Sequence, residues 1–385
     1  MEIICNQNEL NNAIQLVSKA VASRPPHPIL ANILLTADEG TNKISMTGFD
    51  LNLGIQTSFD GTVKNSGAIT IPSKLLSEIV NKLPNETPVS LGVDDDSDNI
   101  LIKSDRGSFN LKGISSDDYP NLPFVESGTS LNINPSSFLK ALKSTLFASS
   151  NDDSKQLLTG VNFTFKPNYL ESASTDGHRL AVALIGNEEH TKNKENLSAN
   201  DGDLSVTIPT RSLREIEKLI SLRSSENSIK LFYDKGQLVF ISSNQIITTR
   251  TLEGTYPNYS QLIPDSFSKI LNFNTKKLID ALERIAVLAD QQSSVVKIKL
   301  DDTDLASISA DAQDIGNANE SIPVSYSGEN FDIAFNVRYL LEGLKIINSE
   351  NVLLKCNIAT TPAVFVPEDN FNSFTYLVMP VQVRS

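Results

Sequence analysis

The stretch STDGHRLAV places His178 two residues after Asp176, and an imidazole beside a carboxylate is the pairing that general acid–base chemistry uses. Hydrolysis at such a pair also needs a nucleophile or a metal, and the sequence places neither nearby. His27, His178 and His190 show no metal-ligand spacing with one another or with Cys5 and Cys356, so no zinc site is expected. There is no phosphate-cradling Gly-rich loop, no G-x-S-x-G elbow and no C-x-x-C. The run Asp94, Asp95, Asp96 and Asp98 lacks the glycine and terminal glutamate of a calcium loop and reads as a solvated turn. The chain therefore reads as a non-enzyme without metal or cofactor. A hydrolase built on Asp176 and His178 is the rival whose signature would be a turnover product.

The elements that would position any site come in repeats. The string IPSKLLSEIVNKL begins at Ile71 and IPTRSLREIEKLI at Ile208, while Tyr-Pro-Asn occurs at 119 and at 256; both pairs are displaced by 137 residues. A third copy, FNVRYLLEGLKII, starts at Phe335 and aligns Arg338 with Lys74 and Arg211, and Glu342 with Glu78 and Glu215. Each copy opens with another helical pattern, seen in Leu10, Ala13, Ile14, Val17, then Phe138, Ala141, Leu142, then Leu278, Ala281, Leu282, Ile285. Spacings of three and four put one apolar stripe on each helix. Asn134-Pro135-Ser136 is a helix start signal for the second. Between the helices, alternating segments end in Asp50, Asp176 and Asp311 and read as antiparallel strands. The fold class is thus α+β, with three repeated domains of two helices and antiparallel sheets each, at 1–125, 126–265 and 266–385. The polar insertion from Glu188 to Asp203 reads as a surface loop.

The 385 residues carry a net charge of −13, which argues against a surface that grips phosphates everywhere. Basic residues nevertheless gather on the polar faces of the six helices: Lys19, Lys74, Lys82, Lys140, Lys143, Arg211, Arg214, Lys218, Lys276, Lys277, Arg284, Arg338 and Lys345, with Arg24 just after the first. Acidic residues concentrate in strand connections such as Asp301, Asp302 and Asp304. If the helices share one side, that side is basic and the outside acidic; the plainer reading is a solvated helix face. A basic face would bind duplex DNA of any sequence, because phosphate contacts do not read bases. Two cysteines without a signal-like amino terminus read as free thiols, and no apolar run approaches membrane-spanning length, so a cytoplasmic protein is expected.

At RPPHPIL (24 to 30), STDGHRLAV (174 to 182) and LVMPVQV (377 to 383) the sequence resembles the bacterial DNA polymerase III β sliding clamps, and the likeness runs from Met1 to Arg384. The resemblance implies the DNA clamp fold, with two subunits closing head to tail into a six-domain homodimer ring whose helices surround double-stranded DNA. It also implies a pocket between the second and third domains that captures a short motif of the replicative polymerase α subunit, the clamp loader, and other DNA polymerases and repair proteins. Carried over by motif, that pocket comprises Thr175, Gly177, His178, Arg179, Leu180, Pro257, Leu262, Val364, Leu377, Val378, Met379 and Pro380. In this reading the apolar members bury an anchor, and His178 and Arg179 donate hydrogen bonds at the rim. DNA contacts fall to Arg24, Lys74, Lys140, Lys143, Lys155, Arg211, Arg214, Lys276, Lys277 and Arg338. Gln261 and Gln382 stand where family members commonly carry basic residues, and the loop 149–160 lacks the tyrosines and glutamine some members bring to DNA. The alternative function is a three-module protein-interaction scaffold without DNA encirclement.

Overall fold

The computed structural model describes residues 1–94, 97–105, 107–125, 128–166, 169–186, 204–222, 228–289, 294–300, 304–312, 315–327, 329–370 and 373–382. The polar insertion Glu188–Asp203, with His190, lies outside the described residues, as do Asp95, Asp96, Asp301 and Asp302. Six α-helices occur among the described residues: α1 (Gln7–Val17), α2 (Ser73–Val80), α3 (Pro135–Thr145), α4 (Thr210–Leu222), α5 (Thr275–Ala289) and α6 (Val337–Leu344). Each follows on a strand, Glu2–Asn6, Gly67–Pro72, Thr129–Ile133, Leu204–Pro209, Lys269–Asn274 and Asp332–Asn336 respectively, directly except at α3, where Asn134 intervenes. A module therefore opens on a strand and only then on the helix that the apolar spacing reveals.

Asparagine makes several of these strand-to-helix joints. The Asn6 side chain accepts from the Asn8 amide, Asn274 from Lys277, and Asn336 from Arg338 and Tyr339. A short side-chain acceptor in extended backbone satisfies amides that the first helical turn leaves without a carbonyl. Pro135 sits first in α3, where its missing N–H costs nothing. The expected stripes are buried in α1, α3 and α5 alike, from Leu10 and Ile14 to Phe138 and Leu142 to Leu278 and Leu282. Burying each large aliphatic side chain contributes about 1.5–3 kcal/mol, so these stripes rather than helix propensity hold the helices in place.

The chain divides into two compact units. The first, residues 1–135 with 218–251, holds two antiparallel sheets. One orders Thr62–Asn65, Glu2–Asn6, Pro88–Val93, Asn99–Ser104 and Gly107–Lys112. The other orders Thr129–Ile133, Ile229–Asp234, Gln237–Ser242, Gln245–Arg250, Leu53–Asp60, Lys43–Phe49, Asn32–Asp38 and Gly67–Pro72. Its middle seam pairs Ile247 with Ile55, joining strands about 190 residues apart in sequence, a separation the repeat itself does not announce.

The second unit, residues 136–217 with 252–385, is built the same way. Its large sheet orders Leu204–Pro209, Gly160–Phe165, Tyr169–Thr175, Arg179–Gly186, Phe374–Val378, Ala363–Pro367, Asn351–Cys356, Lys269–Asn274 and Ser325–Ser327. Its small sheet orders Gly316–Pro323, Leu305–Ala312, Val295–Leu300 and Asp332–Asn336. One face of the large sheet packs in a core with α5 and α6 that includes Ala181, Phe365, Tyr376 and Val378. Asp50 and Asp176 follow their strands as expected, whereas Asp311 lies inside its strand, paired with Asn317.

Candidate functional site

The segment from Thr175 to Leu180 is a hairpin turn built by its own side chains. Asp176 Oδ1 accepts the amides of His178 (2.8 Å) and Arg179 (3.1 Å), the turn-forming pattern of a short carboxylate. Gly177 takes a positive φ of 94°, which a residue with a Cβ adopts only at a backbone cost. The Thr175 hydroxyl donates to the Arg179 carbonyl and accepts from the Gly177 amide, closing the turn from inside. The Thr175 amide donates to the phenol of Tyr256, whose pKa burial pushes up to about 12. Both carboxylate oxygens of Asp176 accept hydrogen bonds in this construction, Oδ1 from the two amides and Oδ2 from Arg179 Nε.

Period-two alternation sorts the carried-over residues onto two faces of the sheet. Leu180 pairs with Thr175 and Leu377, and Leu377 with Val364, so these side chains share one face. They form an apolar cluster with Ala173, Val182 and Val366, against which Tyr259, Ile263, Phe267 and Leu353 pack. Leu180, Val364 and Leu377 are themselves nearly covered, while Leu262 (51% exposed) and Met379 (38% exposed) leave large apolar surface in water. Leu262 ends the 3-10 turn that begins at Tyr259, and the Met379 amide donates to the His178 carbonyl. Pro257 is exposed and Pro380 half-buried.

Arg179 and Val378 pair with each other one residue out of step and point to the opposite face. Val378 belongs to the core under α5 and α6. Arg179 is 7% exposed, so the expectation of a rim donor is corrected. Its Nε donates to Asp176 (3.1 Å), Nη1 to Glu342 and Nη2 to the Phe147 carbonyl (2.7 Å), and its guanidinium lies 4.5 Å from the Tyr339 ring centroid and 5.4 Å from that of Phe147. A buried guanidinium needs this many partners because each unpaired N–H would cost desolvation. Burial works against its charge, yet Tyr376 and Glu342 hold its pKa above the ordinary value. His178 alone stays at the rim, exposed, its ring stacked on Tyr339 at 6.3 Å.

Tyr339, Glu342 and Phe147 escape a motif-based reading because they come from elements distant in sequence, and Tyr259, Ile263 and Phe267 because they flank Leu262 without a motif of their own. Tyr256 had a sequence signal in the repeated Tyr-Pro-Asn, and Glu342 one in its alignment with Glu78 and Glu215, though neither signal pointed to the pocket. Arg24, Lys74, Lys140, Lys143, Lys155, Arg211, Arg214, Lys276, Lys277 and Arg338 are all exposed. Lys74, Lys140, Lys143, Arg211, Arg214, Lys276, Lys277 and Arg338 lie on helices, whereas Lys155 sits against the pocket turn, donating to the Asp176 carbonyl at 3.4 Å. Other helical cations are partly neutralised: Arg284 pairs with Glu320, and Lys345, which caps α6, with Glu283. Lys82 falls beyond the end of α2. Among the described residues no group of three or more His, Cys, Asp or Glu could hold a metal ion, and no helix is long and apolar enough to cross a membrane.

Repeated strand–helix modules with antiparallel sheets, exposed cations on the helices and an apolar cluster on the large sheet of the second compact unit define the class of DNA clamp folds. The family description "DNA polymerase III beta subunit" matches in three successive parts: N-terminal domain at 1–123, central domain at 132–258 and C-terminal domain at 260–382. The chain is 47% identical over 386 residues to a protein named beta sliding clamp from Synechococcus elongatus, covering 100% of both chains. Its structure resembles the crystal structure of the sliding clamp of Bacillus subtilis (TM-score 0.89, 27% identity, 100% of both chains). It is also similar to the Pseudomonas aeruginosa clamp solved bound to griselimycin (TM-score 0.88, 25% identity, 100% of both chains). The chain belongs to the bacterial DNA polymerase III β subunit family, the β sliding clamps.

Proposed function

We propose that two copies of this chain close head to tail into a ring around duplex DNA and tether the replicative DNA polymerase to its template. The observation that carries this reading is the match of three clamp domains in order along the chain. The module limits near Val125 and Asp265 belong to the same proposal. The protein is not an enzyme: it acts by topology, and any nucleotide hydrolysis belongs to the clamp loader that opens the ring. Exposed helical cations, Lys74, Lys140, Lys143, Arg211, Arg214, Lys276, Lys277 and Arg338, together with Arg24 and Lys155, meet phosphates without reading bases. Because the ring retains DNA topologically, these contacts need only be weak and salt-sensitive, which permits sliding.

Among the described residues, Gly107–Lys112 ends one sheet and Gly316–Pro323 another, each offering an unpaired strand edge. Phe109 adds exposed apolar surface to the first, and such unlike edges suit a head-to-tail joint. The partner motif lands where Leu262 and Met379 are exposed beside His178, Gly177, Pro257 and Pro380, over the floor made by Leu180, Val364 and Leu377, with Thr175 shaping the turn and Arg179 and Val378 supporting it from behind. Polymerase α subunit, loader and repair proteins then compete for one site, in the cytoplasm.

Loader-dependent assembly on nicked circular DNA tests the reading. The ring should stay on the circle, run off after linearisation, and show a light-scattering mass near twice 42.0 kDa. A monomer at every concentration, or equal retention on circle and line, would sink it in favour of the scaffold.

A further inference from the structure

One guanidinium ties the pocket turn to a helix of the next domain. Asp176 holds the amides of His178 and Arg179 with one oxygen and Arg179 Nε with the other. The same guanidinium reaches Glu342 on α6 and the Phe147 carbonyl after α3, and it lies over the Tyr339 ring on which His178 also stacks. The turn and Arg179 fall in the central-domain span, 132–258, while Tyr339 and Glu342 fall in the C-terminal span, 260–382.

We propose that Glu342 is a positioning residue of the partner pocket: by anchoring Arg179 it fixes the Asp176–His178 turn against α6, and so sets affinity for peptides it does not contact. The proposal rests on the reading of this face as the partner pocket. Three features support it. The Glu342 side chain is 48% exposed and its carboxylate pairs with the Arg179 guanidinium. Arg179, at 8%, is enclosed and cannot exchange that pair for water. The His178 carbonyl accepts from Met379, so a displaced turn takes the exposed edge of the pocket with it. Asp176 and the Phe147 carbonyl hold Arg179 to its own domain, while the Glu342 carboxylate, with Tyr376 beside the guanidinium, ties it to the next.

The test uses the full chain and a fluorescein-labelled peptide from the clamp-binding segment of this organism's polymerase α subunit, read by polarisation. Glu342→Ala should weaken binding about five- to tenfold, the scale of one charge-assisted hydrogen bond acting indirectly. Glu342→Gln, which keeps an acceptor for Nη1, should recover most of that loss. Amide exchange at His178 and Arg179 should quicken in Glu342→Ala and not in Ala363–Pro367. Unchanged affinity in Glu342→Ala, or weakened affinity with unchanged exchange in the turn, overturns the proposal. Failure of the wild-type chain to bind the peptide would instead overturn the pocket reading beneath it.

Discussion

Helix propensity and packing make opposite forecasts for Gly343→Ala, and the structure decides between them. Gly343 lies inside α6, where replacing glycine by alanine ordinarily stabilises by about 1 kcal/mol. A Cβ at this position, however, would stand 2.0 Å from Cε1 and 2.2 Å from Cδ1 of Tyr376. Carbon atoms rest about 3.5–4.0 Å apart, so ring or helix must move by roughly 1.5 Å. The ring has nowhere to go: Tyr376 is fully buried, with Phe147, Phe374 and Phe365 at centroid distances of 5.5, 6.3 and 6.5 Å, and its hydroxyl donates to the Tyr339 carbonyl at 2.7 Å. Overpacking of this kind costs about 1–3 kcal/mol, and straining the hydroxyl bond adds about 1, so the variant should be about 2 kcal/mol less stable despite its better helix propensity. At about 2–4 °C per kcal/mol, calorimetry should show the transition of the unit containing α6 lowered by several degrees. Tyr376→Leu should be less harmful in the Gly343→Ala background than in the wild type, with a coupling of about 1 kcal/mol. A melting temperature raised by 2–4 °C would refute the placement of Tyr376 against α6, and with it the support of Tyr339 beneath His178.

Tyr256→Phe leaves the buried Thr175 amide without its acceptor, a loss of about 1–3 kcal/mol that hydrogen exchange at residues 173–180 would register. Tyr256 also makes stability pH-dependent: burial holds its phenol at about 12 against an ordinary 10.0, so the unfolded chain releases this proton first. Its contribution is full below pH 10, declines as pH rises through 12, and should vanish from the alkaline limb of a denaturation series in Tyr256→Phe. Cys356, pushed up by burial to about 11, should resist alkylation at pH 8 in the native chain and react fully in denaturant; rapid native labelling followed by intact mass would contradict its enclosure. Charge reversal at Lys276 and Lys277 should shorten retention on circular DNA and reduce the steepness of its salt dependence by about one unit per lost phosphate contact, and an unchanged slope would remove them from the DNA face.

Local pattern was enough to reveal the helices and their buried stripes, because each rests on residues within a few positions of one another, and the repeat came from such local strings recurring 137 residues apart. Leu10, Ile14 and Val17 announce an amphipathic helix wherever they occur. The motif STDGHRLAV announces a family. Membership followed from such strings, and the exposed cations on the helices were legible one by one.

Which face each pocket residue occupies was not legible. Sequence proximity put Arg179 beside His178 at the rim, but strand pleating turns neighbours to opposite sides, and pairing with Val378 sends the guanidinium inward. Its partners, Glu342 and Phe147, lie 163 and 32 residues away, and no local pattern encodes who will meet a buried charge. Lys155, expected at the DNA from its loop, donates to the Asp176 carbonyl of the pocket turn for the same reason. The strands opening each module were likewise hidden, since their partners, such as Val89 for Cys5, come from distant segments. Periodicity and capping are properties of a short stretch and are written in it, whereas sheet register and the enclosure of a charge are decided only when remote segments come together.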